Sequence, residues 1–330
     1  MRDLRLSVID RCNFRCPYCM PEDVYHEKYE FFSRAQRLSD DETVTLVGAF
    51  AQLGINKLRI TGGEPLLRKD LPQLLGRLLD VPGIEDIAMS TNGVLLPRDA
   101  RALREAGLRR VTVSLDSTNP ASFQLMSGNR GSLEAVLEGI DAARAAGFEA
   151  VKINAVIERG RNEDQILPLA RLFRERGCTL RFIEYMDVGT RNRWRPEDVV
   201  TSRDIRETIH ARWPLAPVSP GYRGEVATRY RYEDGAGEVG FISSISQPFC
   251  ADCTRARLSA DGRLYTCLFA KTGVDLKTPL RDGASAEDMV GLIAAVWRAR
   301  TDAYSEQRNA RRAAPGDPTD EKVEMFRIGG

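Results

Sequence analysis

The chain has 330 residues, enough to bury one large core or two smaller ones. Lysine plus arginine (48) nearly cancels aspartate plus glutamate (47), leaving a formal net charge of +1. No global field therefore draws in nucleic acid or an anionic membrane, and any anion must be met by local basic residues. The longest apolar windows, such as Leu292 to Trp297, fall far short of a membrane span, so the expectation is a soluble cytoplasmic protein.

The first element is a short strand (Leu4, Leu6, Val8, Ile9), which runs directly into Cys12, Cys16 and Cys19 in a C-x3-C-x2-C spacing. Three soft ligands in eight residues can close around one metal site, and thiolates select zinc, copper(I) or iron-sulfur clusters. A closed ferredoxin-type cluster uses four cysteines. Three leave a metal position open, which is how a metal site does chemistry. The alternatives are a zinc loop with a distant fourth ligand and a disulfide knot. Against the knot stand an odd seven cysteines and the lack of a secretory h-region. Against zinc, the usual paired C-x2-C or histidine partners are missing, His26 and His210 being the chain's two histidines.

A polar, aromatic segment follows (Tyr25 to Arg37), a loop or short helix. Ser39 to Glu42 has the spacing of a capping box, with Leu46, Phe50 and Leu53 on one helical face. A strand from Lys57 to Ile60 leads into Thr61-Gly62-Gly63-Glu64-Pro65. The pattern repeats: a helix at Leu71 to Leu79, then a strand from Ile84 to Met89 ending in Ser90-Thr91-Asn92-Gly93. A helix from Arg98 to Ala106 precedes the strand Arg110 to Val113 and its end, Ser114-Leu115-Asp116. Ser132 caps a helix carrying Leu133, Val136, Leu137 and Ile140, and the strand Ala150 to Ile157, a helix from Asp164 to Arg176 and the strand Leu180 to Tyr185 close the series.

Alternation at this pitch implies parallel βαβ units, coiled into a barrel or laid out as an open doubly wound sheet. The cysteine loop, Gly62-Gly63-Glu64, Thr91-Asn92, Ser114 and Met186 all fall at or near strand C-terminal ends, the rim where such folds bind ligands. Ordinary turn chemistry explains any one of them. Five on one rim, beside a cysteine loop, point to a site.

The rhythm breaks near Val188, which sets an expected boundary between residues 1–188 and 189–330. Residues 189–240 read as an extended region wrapped against the barrel, followed by a shorter α/β-like segment and a helix from Ser285 to Arg300. Ser305 to Glu321, charged and containing Pro315 and Pro318, is expected to be mobile. A second triplet, Cys250, Cys253 and Cys267, flanks two short strands around Asp261-Gly262, a hairpin signal that folds Cys267 back towards Cys253. A zinc ribbon is the alternative, but no C-x2-C mate follows Cys267. Cys178, at a helix-to-strand junction, reads as a buried apolar cysteine. On a strand, Arg255 and Arg257 project to one face, and two guanidiniums beside a metal suit a polyphosphate.

The C-x3-C-x2-C run with Tyr18 before its last cysteine resembles the signature of the radical S-adenosylmethionine (SAM) enzymes. In that superfamily three cysteines hold a 4Fe-4S cluster, SAM chelates the fourth iron, and the fold is an α/β partial (β/α)6 TIM-like barrel. The two triplets together, with the Gly329-Gly330 ending, resemble the molybdenum cofactor biosynthesis protein A family, the GTP 3',8-cyclases, over Leu4 to Gly330. That resemblance implies a barrel with a C-terminal cluster-binding extension and two 4Fe-4S clusters, one on Cys12, Cys16 and Cys19 with SAM, the other on Cys250, Cys253 and Cys267 with the substrate. Tyr18, Gly63, Ser114 and Met186 would line SAM. Arg5, Arg59, Thr91, Lys152, Arg255, Ala256 and Arg257 would hold GTP.

It further implies that a 5'-deoxyadenosyl radical takes the 3' hydrogen of GTP, and that the resulting carbon radical adds to C8 of guanine. Arg255 and Arg257 are the candidates to assist the final reduction, and the double-glycine tail would reach into the active site and be needed for turnover. The downstream partner would be cyclic pyranopterin monophosphate synthase, and a homodimer is one assembly the resemblance allows. Two departures, a short leader before the first strand and Phe326-Arg327 before Ile-Gly-Gly, touch no ligand position. The rival readings are a radical SAM peptide-modifying enzyme with a closed auxiliary cluster and a non-catalytic zinc or iron-sulfur module.

Overall fold

The computed structural model describes residues 1–222, 224–250, 252–313 and 321–329. Six strands, β1 (Asp3–Ser7), β2 (Lys57–Thr61), β3 (Asp86–Thr91), β4 (Arg110–Ser114), β5 (Ala150–Ile157) and β6 (Thr179–Glu184), lie side by side in chain order. Each pairs parallel with the next. Between them run α1 (Asp40–Gln52), α2 (Leu71–Leu79), α3 (Leu96–Glu105), α4 (Pro120–Ser127), α5 (Leu133–Ala145) and α6 (Ile166–Glu175).

The unbroken strand order settles the choice between barrel and doubly wound sheet. Crossovers are right-handed, so strands that simply succeed one another place every helix on one face, and the other face curls inward. A doubly wound sheet would reverse its order at a switch point. The hydroxyl of Thr112 on β4 marks the concave side, accepting from Arg59 on β2 and Arg181 on β6, each at 3.3 Å. The barrel is partial because β1 and β6 do not meet. On β1 lies β10 (Arg255–Leu258), parallel, then the antiparallel β11 (Arg263–Tyr265) and β12 (Val274–Asp275). On β6 lies β9 (Glu238–Ile242), parallel, then β8 (Thr228–Tyr232) and β7 (Leu215–Val218), giving a 12-stranded sheet.

Local signals account for most of these elements. The box at Ser39 is closed from both sides, with Glu42 N donating to Ser39 Oγ (3.1 Å) and Ser39 N to Glu42 Oε2 (2.7 Å). Ser132 Oγ accepts from Ala135 N. The hairpin at Asp261-Gly262 is present, with Gly262 at φ +81° and Arg257 opposite Tyr265.

Elsewhere the structure departs from the expectations. Residues 189–240 are not simply extended. They contain α7 (Ser202–Arg212), capped by Thr201 and buried through Ile205 and Ile209, and three strands that join the main sheet. Only two apolar residues mark the buried face of α7, too few to stand out as periodicity. The helix α4 went unpredicted although Asn119-Pro120 opens it, Asn119 Oδ1 accepting from Ala121 N and Ser122 N. The charged stretch expected to be mobile is helical over α10 (Tyr304–Ala313), because Arg308, 3% exposed, is buried against Asp187. Pro315 and Pro318 lie outside the described residues. The remaining helices are α8 (Lys277–Arg281), α9 (Ala286–Arg298) and α11 (Met325–Ile328).

The core lies between the sheet and its helices, and on the β6 to β9 side it includes Phe182 stacked on Phe241 at 6.2 Å. Phe182 is fully buried, so Phe182→Ala should destabilise the protein by about 3–5 kcal/mol in urea unfolding. Leu125→Ala, at a site 47% exposed, should change stability by less than about 0.5 kcal/mol.

Candidate active site

The loop after β1 carries Cys12, Cys16 and Cys19. Its shape is held from within, since Cys19 N (2.9 Å) and Met20 N (2.8 Å) both donate to Cys16 O, a turn that swings Cys19 back. Arg15, buried, donates through Nη1 to Cys12 O and Phe14 O, both at 2.8 Å. The turn after β2 fits beneath this loop. Gly63 N reaches Ile9 O at 2.8 Å and Glu64 N reaches Arg11 O at 2.7 Å. A Cβ on Gly63 would stand 2.1 Å from Arg11 O, so the glycine is required by close approach. Glu64 is 1% exposed and accepts from Leu66 N, Thr91 Oγ1 and Asn92 N, while burial pushes its carboxyl up to about 7.

Tyr18 Oη donates to Asp116 Oδ2 at 2.7 Å, and burial raises the Asp116 carboxyl to about 6. The three cysteines, Tyr18, Gly63, Thr91, Ser114 and Met186 line one cavity, and Met325 and Phe326 of α11 complete its wall. Thr91, expected at the nucleotide, therefore faces the cysteine-loop cavity, its hydroxyl already bonded to Glu64.

A second cavity occupies the barrel interior. Strand alternation and register aim one row of cations into it: Arg257 stands opposite Arg5, and Arg5 opposite Arg59, across β10, β1 and β2. Lys57, Arg110, Lys152, Arg181 and Arg255 line the same space, as do Cys250, Cys253 and Cys267. Burial, then the charges of Arg257 and Arg59, hold Arg5 well below its usual range. Burial lowers Arg181 to about 9, and burial with Arg255 lowers Arg257 to about 10. Burial and then Arg181, Arg110 and Arg59 lower Lys152 to about 8.

Cys253 shows the opposite balance. Burial pushes its thiol up, but Arg255, with Nη2 at 3.0 Å and Nε at 3.2 Å from the sulfur, outweighs it and pulls the thiol down. Ala256 turns its side chain into the core, as alternation requires, so no side-chain contact to a nucleotide comes from it. Ser90, Asn154, Ile183 and Met186 line both cavities, which therefore adjoin at these four residues.

The tail is docked. Arg257 Nη1 donates to Ile328 O (3.2 Å) and to Gly329 O, and a Cβ on Gly329 would stand 2.1 Å from Thr61 Cγ2. Gly330 lies outside the described residues. Sequence reading missed Lys57, Arg110, Arg181 and the Phe326 wall. Lys57 was within reach, two residues before Arg59 on one strand. The others depend on which strands curl together.

The thiols fit a cluster. All seven cysteines are free, which removes the disulfide knot. Burial, then the charge of Glu64, pushes Cys12 up to about 12, and burial raises Cys16 and Cys19 as well. Among the described residues no three His, Cys, Asp or Glu side chains close around a single ion. A cluster asks less, since each thiolate binds a different iron. Cys178 lines neither cavity and sits in the core at the start of β6, 7% exposed.

A partial parallel barrel with this cysteine loop and Gly-Gly-Glu turn on its rim is the architecture of a radical SAM enzyme. The Radical SAM superfamily model matches residues 6–173, and the Molybdenum Cofactor Synthesis C model matches residues 178–306. The fold is shared with Streptococcus suis SuiB bound to S-adenosylmethionine (TM-score 0.60, 15% identity, 88% of this chain and 67% of that one). A GTP 3',8-cyclase of Xanthomonas axonopodis pv. citri is 57% identical over 332 residues, covering 100% of this chain and 96% of the relative. One from Acidothermus cellulolyticus is 49% identical over 350 residues, covering 100% and 97%. The chain belongs to the GTP 3',8-cyclase family.

The place of Cys178 separates an open second cluster from a closed one. Cys178→Ser should keep the iron content of anaerobically purified protein, at a stability cost of about 1–3 kcal/mol for the buried hydroxyl. Cys253→Ala should lower the iron.

Proposed function

We propose that this enzyme converts GTP to 3',8-cyclo-7,8-dihydro-GTP in molybdenum cofactor biosynthesis, as the names of its relatives indicate. The observation that carries the reading is the buried row of cations that lines one cavity with the second cysteine triplet and adjoins the cavity of the first. A triphosphate answers it, because guanidiniums bind phosphate oxygens bidentately and the row is fixed by strand register. Among the described residues, no helix is long and apolar enough to cross a membrane. We place the enzyme in the cytoplasm and its product with a cyclic pyranopterin monophosphate synthase.

In this reading Cys12, Cys16 and Cys19 hold the 4Fe-4S cluster that shares SAM with Tyr18, Gly63, Ser114 and Met186. Cys250, Cys253 and Cys267 hold the second, beside the guanine. Bound there, the first cluster with SAM would supply radical chemistry directed at the ribose of GTP. The chain's own part is placement. Arg5, Arg59, Lys152, Arg255 and Arg257 hold the triphosphate at one depth in the barrel, which fixes the ribose near the rim shared by the two cavities. Asp116 fixes Tyr18 and with it the cysteine loop. Thr91 acts from the rim side, Ala256 through its backbone, and Gly329 with Gly330 brings the tail against Arg257. Met325 and Phe326 keep water from the reacting space.

Anaerobic incubation with dithionite, SAM and GTP should yield 5'-deoxyadenosine and a product isomeric with GTP by mass spectrometry, since one hydrogen leaves and one returns. Absence of both in protein carrying its iron would overturn the reading. Nucleotide affinity should also depend on Lys152. Its lowered pKa of about 8 means an ammonium below that pH and a neutral amine above it. GTP binding should therefore weaken by roughly tenfold between pH 7.5 and pH 9, the loss of one charge-assisted hydrogen bond. Lys152→Met should bind weakly throughout and show a smaller dependence over this range, as read by calorimetry.

A further inference from the structure

Asp187 follows Met186 just past the end of β6 and is buried. Its carboxylate accepts from Arg308 Nε (2.9 Å) and Tyr304 Oη (2.5 Å) on α10, and Lys322 Nζ lies 3.2 Å from Oδ2. Lys322 Nζ also donates to Asp187 O (2.7 Å) and to Tyr304 Oη (2.8 Å). The Lys322 and Arg308 side chains are both nearly excluded from solvent, so two cations are buried on one carboxylate. Burial pushes the Asp187 carboxyl up, but Lys322, Tyr304 and Arg308 outweigh it and hold it below its usual range. Aromatic rings enclose the group: Phe269 and Tyr304 stack at 4.5 Å, with Arg308 5.3 Å and Lys322 5.8 Å from the Phe269 ring.

Each member of this cluster belongs to a different wall of the site. Phe269 follows Cys267 closely, and its N–H reaches the Cys267 sulfur at 3.4 Å. Arg308 Nη1 reaches Ser244 O at 3.4 Å, in the segment that leads from β9 towards Cys250. Lys322 opens the tail, and the next residue, Val323, donates its N–H to Ala270 O (2.9 Å). Further along, Phe326 lines the cavity of the three thiols and Gly329 O meets Arg257.

We propose that Asp187 is a positioning residue for the reaction: by gathering Lys322 and Arg308 onto one carboxylate, it holds the tail between the Met186 rim and the Cys267 loop. This rests on reading the two cavities as the reaction space. Charge is what the role requires. An asparagine would fill the same volume but would leave both cations without their counter-charge, and a buried pair broken from one side favours whatever motion returns the cation to water. Lys322 can make that motion only by carrying the tail with it, whereas Arg308 is held within α10.

Asp187→Asn removes the charge, Lys322→Met removes the tail's ammonium and keeps its apolar stem, and Lys322→Arg restores a cation. In full-length protein carrying its iron, hydrogen exchange read by mass spectrometry on residues 322–329 should be roughly tenfold faster in Asp187→Asn and Lys322→Met, the scale of one hydrogen bond to a charged group. A peptide covering β3 should exchange as in wild type. With SAM and GTP, kcat should fall roughly tenfold in both variants through misplacement at a distance. KM for GTP should change by less than about twofold, because neither residue lines the cavity of the cation row. Lys322→Arg should recover most of the exchange protection and the turnover.

Wild-type exchange of the tail in both variants, or fast exchange with unchanged kcat, would overturn the proposal. Equal acceleration of the β3 peptide would do the same, since it would make Asp187 a support of the whole fold. Should Asp187→Asn fail to fold, Lys322→Met decides. Iron-loaded wild-type protein that forms no product from GTP is a separate failure, that of the reading of the cavities, and exchange still decides whether Asp187 holds the tail.

Discussion

The barrel interior gathers cations that repel one another, and the rest of the molecule is arranged around holding them there. Arg257, Arg5 and Arg59 are neighbours across three strands, and each has its pKa lowered by burial. Like charges buried this close to one another work against folding. What keeps them in place is the sheet: strand alternation and register leave the side chains no other face to occupy. A polyanion in this space would relieve that repulsion, which favours an anionic ligand.

Around that interior, the rim is joined by close backbone contacts. Gly62 and Gly63 let the turn after β2 pass against Ile9 and Arg11, where a Cβ would stand 2.3 Å and 2.1 Å from their carbonyl oxygens. The tail then ties together segments that sequence places far apart. Asp187 alone accepts from Tyr304 Oη (2.5 Å), Arg308 Nε (2.9 Å) and Lys322 Nζ (3.2 Å). Because Asp187 follows Met186 and Ala270 follows Cys267, a shift of the tail is felt at both cysteine sites. Binding sites built on loops gain their rigidity from such cross-bracing.

Periodicity and capping chemistry made the six βα units legible, because each is local: Ser39 with Glu42, Ser132 with Ala135, Leu133 to Ile140 on one face. Thiol spacing showed both triplets for the same reason. What stayed hidden is long-range. Nothing near Arg181 says that it shares a hydroxyl with Arg59, more than a hundred positions earlier. The region after Val188 looked irregular because its strands complete a sheet begun elsewhere, with β9 pairing to β6 and β10 to β1, and need little periodicity of their own. The segment after Ser305 looked mobile because its anchoring residue is an arginine, which composition counts as solvent-facing. Burial against Asp187 reverses that reading for α10, the described part of the segment.

Net charge concealed the site as well. Among the described residues, the interior cavity is lined by ten basic and three acidic side chains, a net +7 within a chain whose total is +1. The remainder therefore carries a net −6. Beyond a Debye length of about 8 Å in physiological salt, the charge of the cavity is largely screened. Attraction begins only at the mouth of the cavity, where low-dielectric walls concentrate the field. A small, multiply charged anion is the ligand class that this distribution of charge favours.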